Sequence, residues 1–272
     1  MRYSMMSYTM TRQKEHFDFD EMLRLTAELG MAGIDFFGSC GMTVDEVRAR
    51  VDDAGIPVVC YIYSANLAAT DKGELTKALD TTKRQVDEAL VLGAPLMMVT
   101  TPGIEGVDRT EARKRWIGGL QMANAIAQDA GLVLSIENFP GADSPFVVGD
   151  DVLEAMREVP GLKLTFDNGN AGTGEDPGAS FARCAEHVVH AHFKDWRIVD
   201  AANPGARLML DGHHYVAALI GEGDIDQAGS LAAMKKAGYD GCINIEYEGN
   251  DYTPAEGVRR AVAYLRSLEE TL

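Results

Sequence analysis

Cysteine is scarce in this sequence. The four residues, Cys40, Cys60, Cys184 and Cys242, form no C-x-x-C pair, so neither a zinc ribbon nor a disulfide framework is expected. They read as reduced, mostly buried thiols of a cytoplasmic protein. Long apolar runs are missing too. The stretch Met1 to Asp20 has no signal-type apolar segment, and no later segment is long enough to span a bilayer. Positive charge is in deficit: 25 Lys and Arg stand against 42 Asp and Glu, a formal net charge of −17. A phosphate backbone needs a positive surface, so neither nucleic acid nor membrane is an expected partner. Phosphate loops are also absent. Thr9-Met10-Thr11-Arg12 follows the first candidate strand, with no G-x-G-x-x-G and no Walker sequence.

What is present is a chain of 272 residues, 46% hydrophobic and 25% charged, an ordinary composition for a large globular core. A short strand-like run alternates with a longer helical stretch. Candidate strands are Tyr3–Tyr8, Gly33–Phe37, Pro57–Tyr63, Pro95–Thr100, Leu132–Glu137, Leu162–Phe166, Val188–Phe193 and Cys242–Tyr247. Candidate helices lie near 18–29, 43–54, 72–92, 109–130, 148–158, 177–186, 225–237 and 254–269. Gly30, Gly55, Gly93, Gly131 and Gly238 stand where left-handed helix ends are wanted. Thr43 and Glu46 have capping-box spacing. Alternating strands and helices mean parallel βαβ units. Eight of them predict a single-domain (β/α)8 TIM barrel over residues 1–272.

Side chains alternate along a strand. In the later strands one face is apolar: Leu134 and Ile136, Leu164 and Phe166, Val189, Ala191 and Phe193, Ile243 and Ile245. The other face carries Ser135 and Glu137, Lys163, Thr165 and Asp167, His190, His192 and Lys194, Asn244, Glu246 and Glu248. Helices cover the outside of a barrel, so the apolar set points out and the polar set points in. Burying such groups is costly unless they pair or hold a cation. Glu137, Asp167, His192 and Glu246 stand near the strand C-termini, where barrel active sites form. Three carboxylates and one imidazole suit Mn, Mg, Co or Zn as the divalent ion. Three carboxylates around one dication leave a net −1, so an anionic intermediate needs more positive charge; Lys194 and Arg197 are the local candidates.

Leu134-Ser135-Ile136-Glu137-Asn138, Thr165-Phe166-Asp167, His190-Ala191-His192-Phe193-Lys194-Asp195, Gly221-Glu222-Gly223-Asp224 and Ile243-Asn244-Ile245-Glu246 together resemble the xylose isomerase-like barrels, the sugar phosphate isomerase/epimerase superfamily. The resemblance is clearest over residues 130–248. It implies a divalent metal held by Glu137, Asp167, His192 and Glu246, and a small sugar, ketose or keto-sugar as substrate. It further implies that Glu137 and Glu246 are the acid–base pair, working through an enediolate. Many members carry a substrate-binding His three residues after the strand-6 Asp. Here that residue is Asn170, which can hydrogen-bond but cannot titrate.

The remaining candidates are less marked. Arg197 either holds a substrate oxygen or caps the barrel rim. His213 and His214 sit in an insertion at 200–220, as a substrate contact or an exposed loop pair. Asp143, after the fifth strand, is a further substrate-binding candidate. Trp196 either stacks on a sugar face or packs beneath the loop. Two enzymatic readings follow. The leading one is an isomerase or epimerase; the alternative is a lyase or dehydratase acting on a keto-sugar, inosose or keto-glycoside by the same first proton abstraction. A barrel endonuclease is disfavoured by the charge of −17 and six His. A non-catalytic sugar-binding barrel would keep the fold without needing a metal. The oligomeric state is open, a homo-oligomer included.

Overall fold

The computed structural model describes residues 1–272. Its strands are β1 (Arg2–Met6), β2 (Ile34–Phe37), β3 (Val58–Tyr63), β4 (Leu96–Val99), β5 (Val133–Glu137), β6 (Lys163–Asp167), β7 (Val188–Phe193), β8 (Asp195–Val199), β9 (Arg207–Leu208), β10 (His214–Ala218) and β11 (Cys242–Ile245). Its helices are α1 (Ser7–Thr11), α2 (Phe19–Glu28), α3 (Val44–Asp53), α4 (Lys72–Leu92), α5 (Arg109–Asp129), α6 (Gly149–Glu158), α7 (Asn168–Gly172), α8 (Pro177–Cys184), α9 (Gln227–Ala237) and α10 (Pro254–Glu269). Strands β1 to β7 and β11 close a parallel barrel in the order β1-β11-β7-β6-β5-β4-β3-β2. This is the predicted (β/α)8 barrel. No helix is long and apolar enough to cross a membrane.

Local chemistry sets the helix boundaries. Asp18, Asp71, Asp108, Asp176 and Asp226 each accept backbone N–H groups at the start of a helix, so part of the acidic excess caps helices and complements their dipoles. Thr43 and Glu46 form the full capping box. The five predicted helix-ending glycines all have positive φ, with Gly93 at 68° and Gly238 at 70°. The main core lies between barrel and helices and includes Leu134, Ile136, Phe166, Phe193 and Ile245, so the apolar strand faces do point outward. Tyr61 and Tyr63 also face out, their hydroxyls bonded to Glu88 and Thr82 on α4.

The barrel interior is divided. On one side a separate apolar cluster comprises Met6, Cys60, Ile62, Leu96 and Met98, from β1, β3 and β4. The other side is polar: Ser135 and Thr165 share a 2.8 Å hydroxyl contact, and Asn244 donates to Ser4 Oγ at 3.2 Å. Val189 departs from the sequence reading. The β6–β7 register skips it, pairing Leu164 with Val188 and Thr165 with His190, and it packs against the interior cluster rather than the outer core. A bulge of this kind turns one side chain to the opposite face. The insertion at 200–220 is also more ordered than a loop: β8, β10 and β9 form a three-stranded antiparallel sheet over the barrel mouth.

Candidate functional site

Register brings the four predicted ligands together. Asp167 and His192 are direct neighbours across β6 and β7. Asn244 pairs with His192, which places Glu246, the next inward residue of the following segment, just above it. Glu137 pairs with Thr165, and the stagger of a closed barrel returns it to the level of Asp167. One ligand atom from each of Glu137, Asp167, His192 and Glu246 lies within 4.8 Å of the others, and all four residues are buried.

His192 Nδ1 is 2.6 Å from Glu137 Oε1 and 3.5 Å from Glu246 Oε2. Lys194 Nζ is 3.1 Å from Glu246 Oε2, 3.4 Å from Asp167 Oδ2 and 3.8 Å from Glu248 Oε1. Burial pushes the Asp167 carboxyl well above the usual range, with only part of that offset by Lys194. Burial also opposes ionisation of Glu246, but Lys194 and His192 outweigh it and hold its carboxyl at about 2. Burial disfavours charge on His192, yet the carboxylates of Asp35, Glu137 and Glu246 raise it well above an ordinary imidazole.

The donor set fits a divalent cation. Asp167 Oδ2 and His192 Nε2 are buried without a hydrogen-bond partner, and Glu246 Oε2 has only its ionic contacts to Lys194 and His192, with no well-aligned hydrogen bond. Buried polar atoms are rarely left so, and two of them belong to the convergent carboxylates. Three carboxylates and an imidazole form an oxygen-rich, thiolate-free set of the kind that holds Mn, Mg, Co or Zn.

A cavity of about 310 Å³ opens above these residues. Glu137, His192, Lys194, Glu246 and Glu248 line one wall; Met6, Phe37, Ile62, Met98 and Phe139 line the other. A second, more polar cavity of about 680 Å³ adjoins it, sharing Tyr8, Arg207 and Glu248. Arg197 lines this second space and donates to the Glu222 carbonyl at 3.0 Å.

Three predicted substrate contacts lie elsewhere. Asn170 is fully buried: its Nδ2 donates to the Asn138 carbonyl at 3.0 Å and its Oδ1 accepts from Trp196 Nε1 at 3.4 Å. Its amide braces two strand ends and lines neither cavity. His213 is exposed on the far edge of the insertion, paired with Asp211 at 3.1 Å. Asp143 is exposed and packs against Gly103 and Gly141. Trp196 packs with Met209, Tyr215 and Ile225 and also lines the second cavity. Asp195 holds the 221–225 loop, its carboxylate accepting from the backbone N–H groups of Gly221, Gly223 and Ile225.

Two residues escaped the sequence reading. Asp35 on β2 is fully buried and pairs with His190; its signal was an acidic residue between the outward Ile34 and Phe36. Arg207 reaches both cavities from β9 with its guanidinium over Trp196. It lies in a strand too short to show a period.

Residues 23–268 match the family model described as xylose isomerase-like TIM barrel. An inosose dehydratase of Lacticaseibacillus casei is 28% identical over 158 residues, 56% of this chain and 53% of that protein. The chain spans about half the length, or less, of the first curated relatives it matches. Protein SMc04130 of Sinorhizobium meliloti 1021 superposes with a TM-score of 0.81 at 21% identity, over 98% of each chain. D-psicose 3-epimerase of Clostridium cellulolyticum H10, solved with D-tagatose, superposes with a TM-score of 0.76 at 13% identity, over 98% of this chain and 99% of that one. At these identities the structural likenesses speak for the fold alone. The family model spans all but the ends of the barrel that carries the buried ligand cluster, and the chain belongs to the xylose isomerase-like TIM barrel family.

Proposed function

We propose that this protein is a divalent-metal-dependent isomerase or epimerase of a small sugar, ketose or keto-sugar. The observation that carries the reading is the placement of two carboxylates, Glu137 and Glu246, on one cavity wall with His192 between them. Moving a proton from one carbon position to another can be divided between two such groups, one to accept and one to return it. A cavity of about 310 Å³ is at the small end of ligand sites, on the scale of a monosaccharide.

Glu137, Asp167, His192 and Glu246 would hold the ion. When bound, the ion supplies Lewis-acid polarisation of a substrate carbonyl. Glu246, ionised at neutral pH, takes a proton from the carbon beside the carbonyl. Charge then develops on the substrate oxygen as an enediolate forms. The Lys194 ammonium, buried at the cavity wall, stabilises that charge more than it would in water. Glu137 returns a proton to the neighbouring position. The apolar wall of Ile62, Met98 and Phe139 keeps bulk water from the intermediate.

One observation favours a second reading. Lys194 is a proton donor at the same wall, so it can protonate a departing hydroxyl, giving a lyase or dehydratase. The partial match to an inosose dehydratase supports that alternative. The test is a panel of ketoses, inososes and keto-glycosides with Mn²⁺ in deuterated water. Product of substrate mass plus exchanged deuterium supports the isomerase. Loss of water or of an aglycone supports the lyase. Turnover that survives both Glu137→Gln and Glu246→Gln sinks both.

A further inference from the structure

The buried Asp35 does no work in the mechanism above. It comes from β2, lines neither cavity, and is completely shielded from solvent. A carboxylate in that position is costly unless it is paired. Its Oδ2 pairs with His190 Nε2 and lies 3.6 Å from His192 Nε2. The two imidazoles meet edge to face, with centroids 5.4 Å apart. Both Asp35 Oδ1 and His192 Nε2 are buried without a hydrogen-bond partner. The opposite nitrogen of His192, Nδ1, faces Glu137 and Glu246. The ring is therefore flanked by the ligand carboxylates on one side and by one further carboxylate on the other. A shift of about 0.8 Å would bring Nε2 and Asp35 to hydrogen-bond length.

We infer that Asp35 is a positioning residue for the metal site, accepting the Nε2–H of His192 so that the Nδ1 lone pair is presented to the cation. This rests on the metal-dependent reading above. The two nitrogens of an imidazole cannot both be free to rotate among roles; the hydrogen bond at one decides which is offered to a metal. His190 completes the arrangement. It engages Asp35 from the layer below, so that the carboxylate is held between two rings of one strand. The same three residues could instead hold an ion of their own, since their ligand atoms also lie within 4.8 Å of one another. His192 serves one site or the other, and its Nδ1 orientation toward Glu137 and Glu246 places it in the upper one.

The test uses metal-stripped full-length protein titrated with Co²⁺ against a chelator, with the Co²⁺ absorption spectrum recorded, and ¹⁵N NMR of the histidines with Zn²⁺ bound. Wild-type protein is expected to bind one ion per chain, with His192 protonated at Nε2 and ligating through Nδ1. Asp35→Asn is expected to weaken Co²⁺ binding about 10- to 100-fold, with Asp35→Glu restoring part of it. Folded Asp35→Asn protein with unchanged Co²⁺ affinity and spectrum overturns the inference while leaving the metal reading intact. So does His192 ligating through Nε2, or two ions per chain; the NMR arm needs no variant and decides even if Asp35→Asn does not fold. Absence of Co²⁺ binding by the wild type overturns the metal reading and this inference together.

Discussion

Lys194 places its ammonium 3.1 Å from Glu246 Oε2, inside the group of carboxylates that converge at the barrel mouth. It also faces Asp167 and Glu248, so one buried cation answers three acids. In metal-free protein, Lys194→Met leaves those charges uncompensated, at a cost of roughly 3–5 kcal/mol. Adding a divalent ion should recover more stability in the variant than in wild type. Urea melts with and without chelator measure both; a metal-free variant as stable as wild type contradicts the counter-charge role.

Metal affinity should rise with pH. Carboxylates around His192 lift its ionisation well above 6.5 despite burial, and burial lifts Asp167 above its usual range. The ion must displace those protons, so binding releases protons and weakens as pH falls. In chelated protein the sign reverses. His192 has a raised folded value, so its stabilisation is fully present below 6.5 and lost as pH climbs through that folded value. Titration calorimetry in buffers of different ionisation enthalpy counts the protons released, and zero release contradicts the prediction.

Two adjacent glycines in α5 should respond in opposite directions. A Cβ on Gly119 would sit 2.0 Å from the Leu67 carbonyl oxygen, whereas one on Gly118 meets nothing within 4 Å. Gly119→Ala should lose roughly 1–3 kcal/mol or more by overpacking. Gly118→Ala should gain about 0.5–1 kcal/mol from helix propensity. Chemical denaturation of the two variants separates them.

Asp195→Ala should release the 221–225 loop. Three loop N–H groups lose their acceptor, each worth about 1–3 kcal/mol where it stays buried. Hydrogen exchange should quicken at Gly221, Gly223 and Ile225 while α5 keeps its protection. Because this loop supports Arg197 through Glu222, KM for the turned-over substrate should rise more than kcat falls. A uniform change across the barrel would point to global destabilisation instead.

The barrel was legible because its signals are local: strand alternation, Asp and Thr caps, and glycines at helix ends. Glu137, Asp167, His192 and Glu246 are legible because each stands at or next to the C-terminal end of an alternating strand, and alternation sets the facing there. Asp35 was not, because its partners His190 and His192 lie over 150 residues away in β7 and only closure of the barrel makes them neighbours. Val189 was misplaced because a bulge breaks the period on which the reading depends. The family pattern alone puts Asn170 at the substrate. Its amide instead meets Asn138 and Trp196, whose approach is set by three-dimensional packing. The ribbon of β8, β10 and β9 carries Arg207 over the cavity, and its two-residue edge strand β9 is too brief for any periodicity to register.

The split interior bears on substrate choice. The reagents stand on β5, β6, β7 and the segment after β11, while Met6, Ile62 and Met98 on β1, β3 and β4 present a plain hydrocarbon surface to the same cavity. Exchanges among unbranched and branched aliphatic side chains are cheap in a packed interior. Under the proposed function, exchanges at the Met and Ile positions would reshape the space open to substrate without touching Glu137, Asp167, His192 or Glu246. The aliphatic side is therefore where a single substitution is expected to change which substrate the cavity accepts.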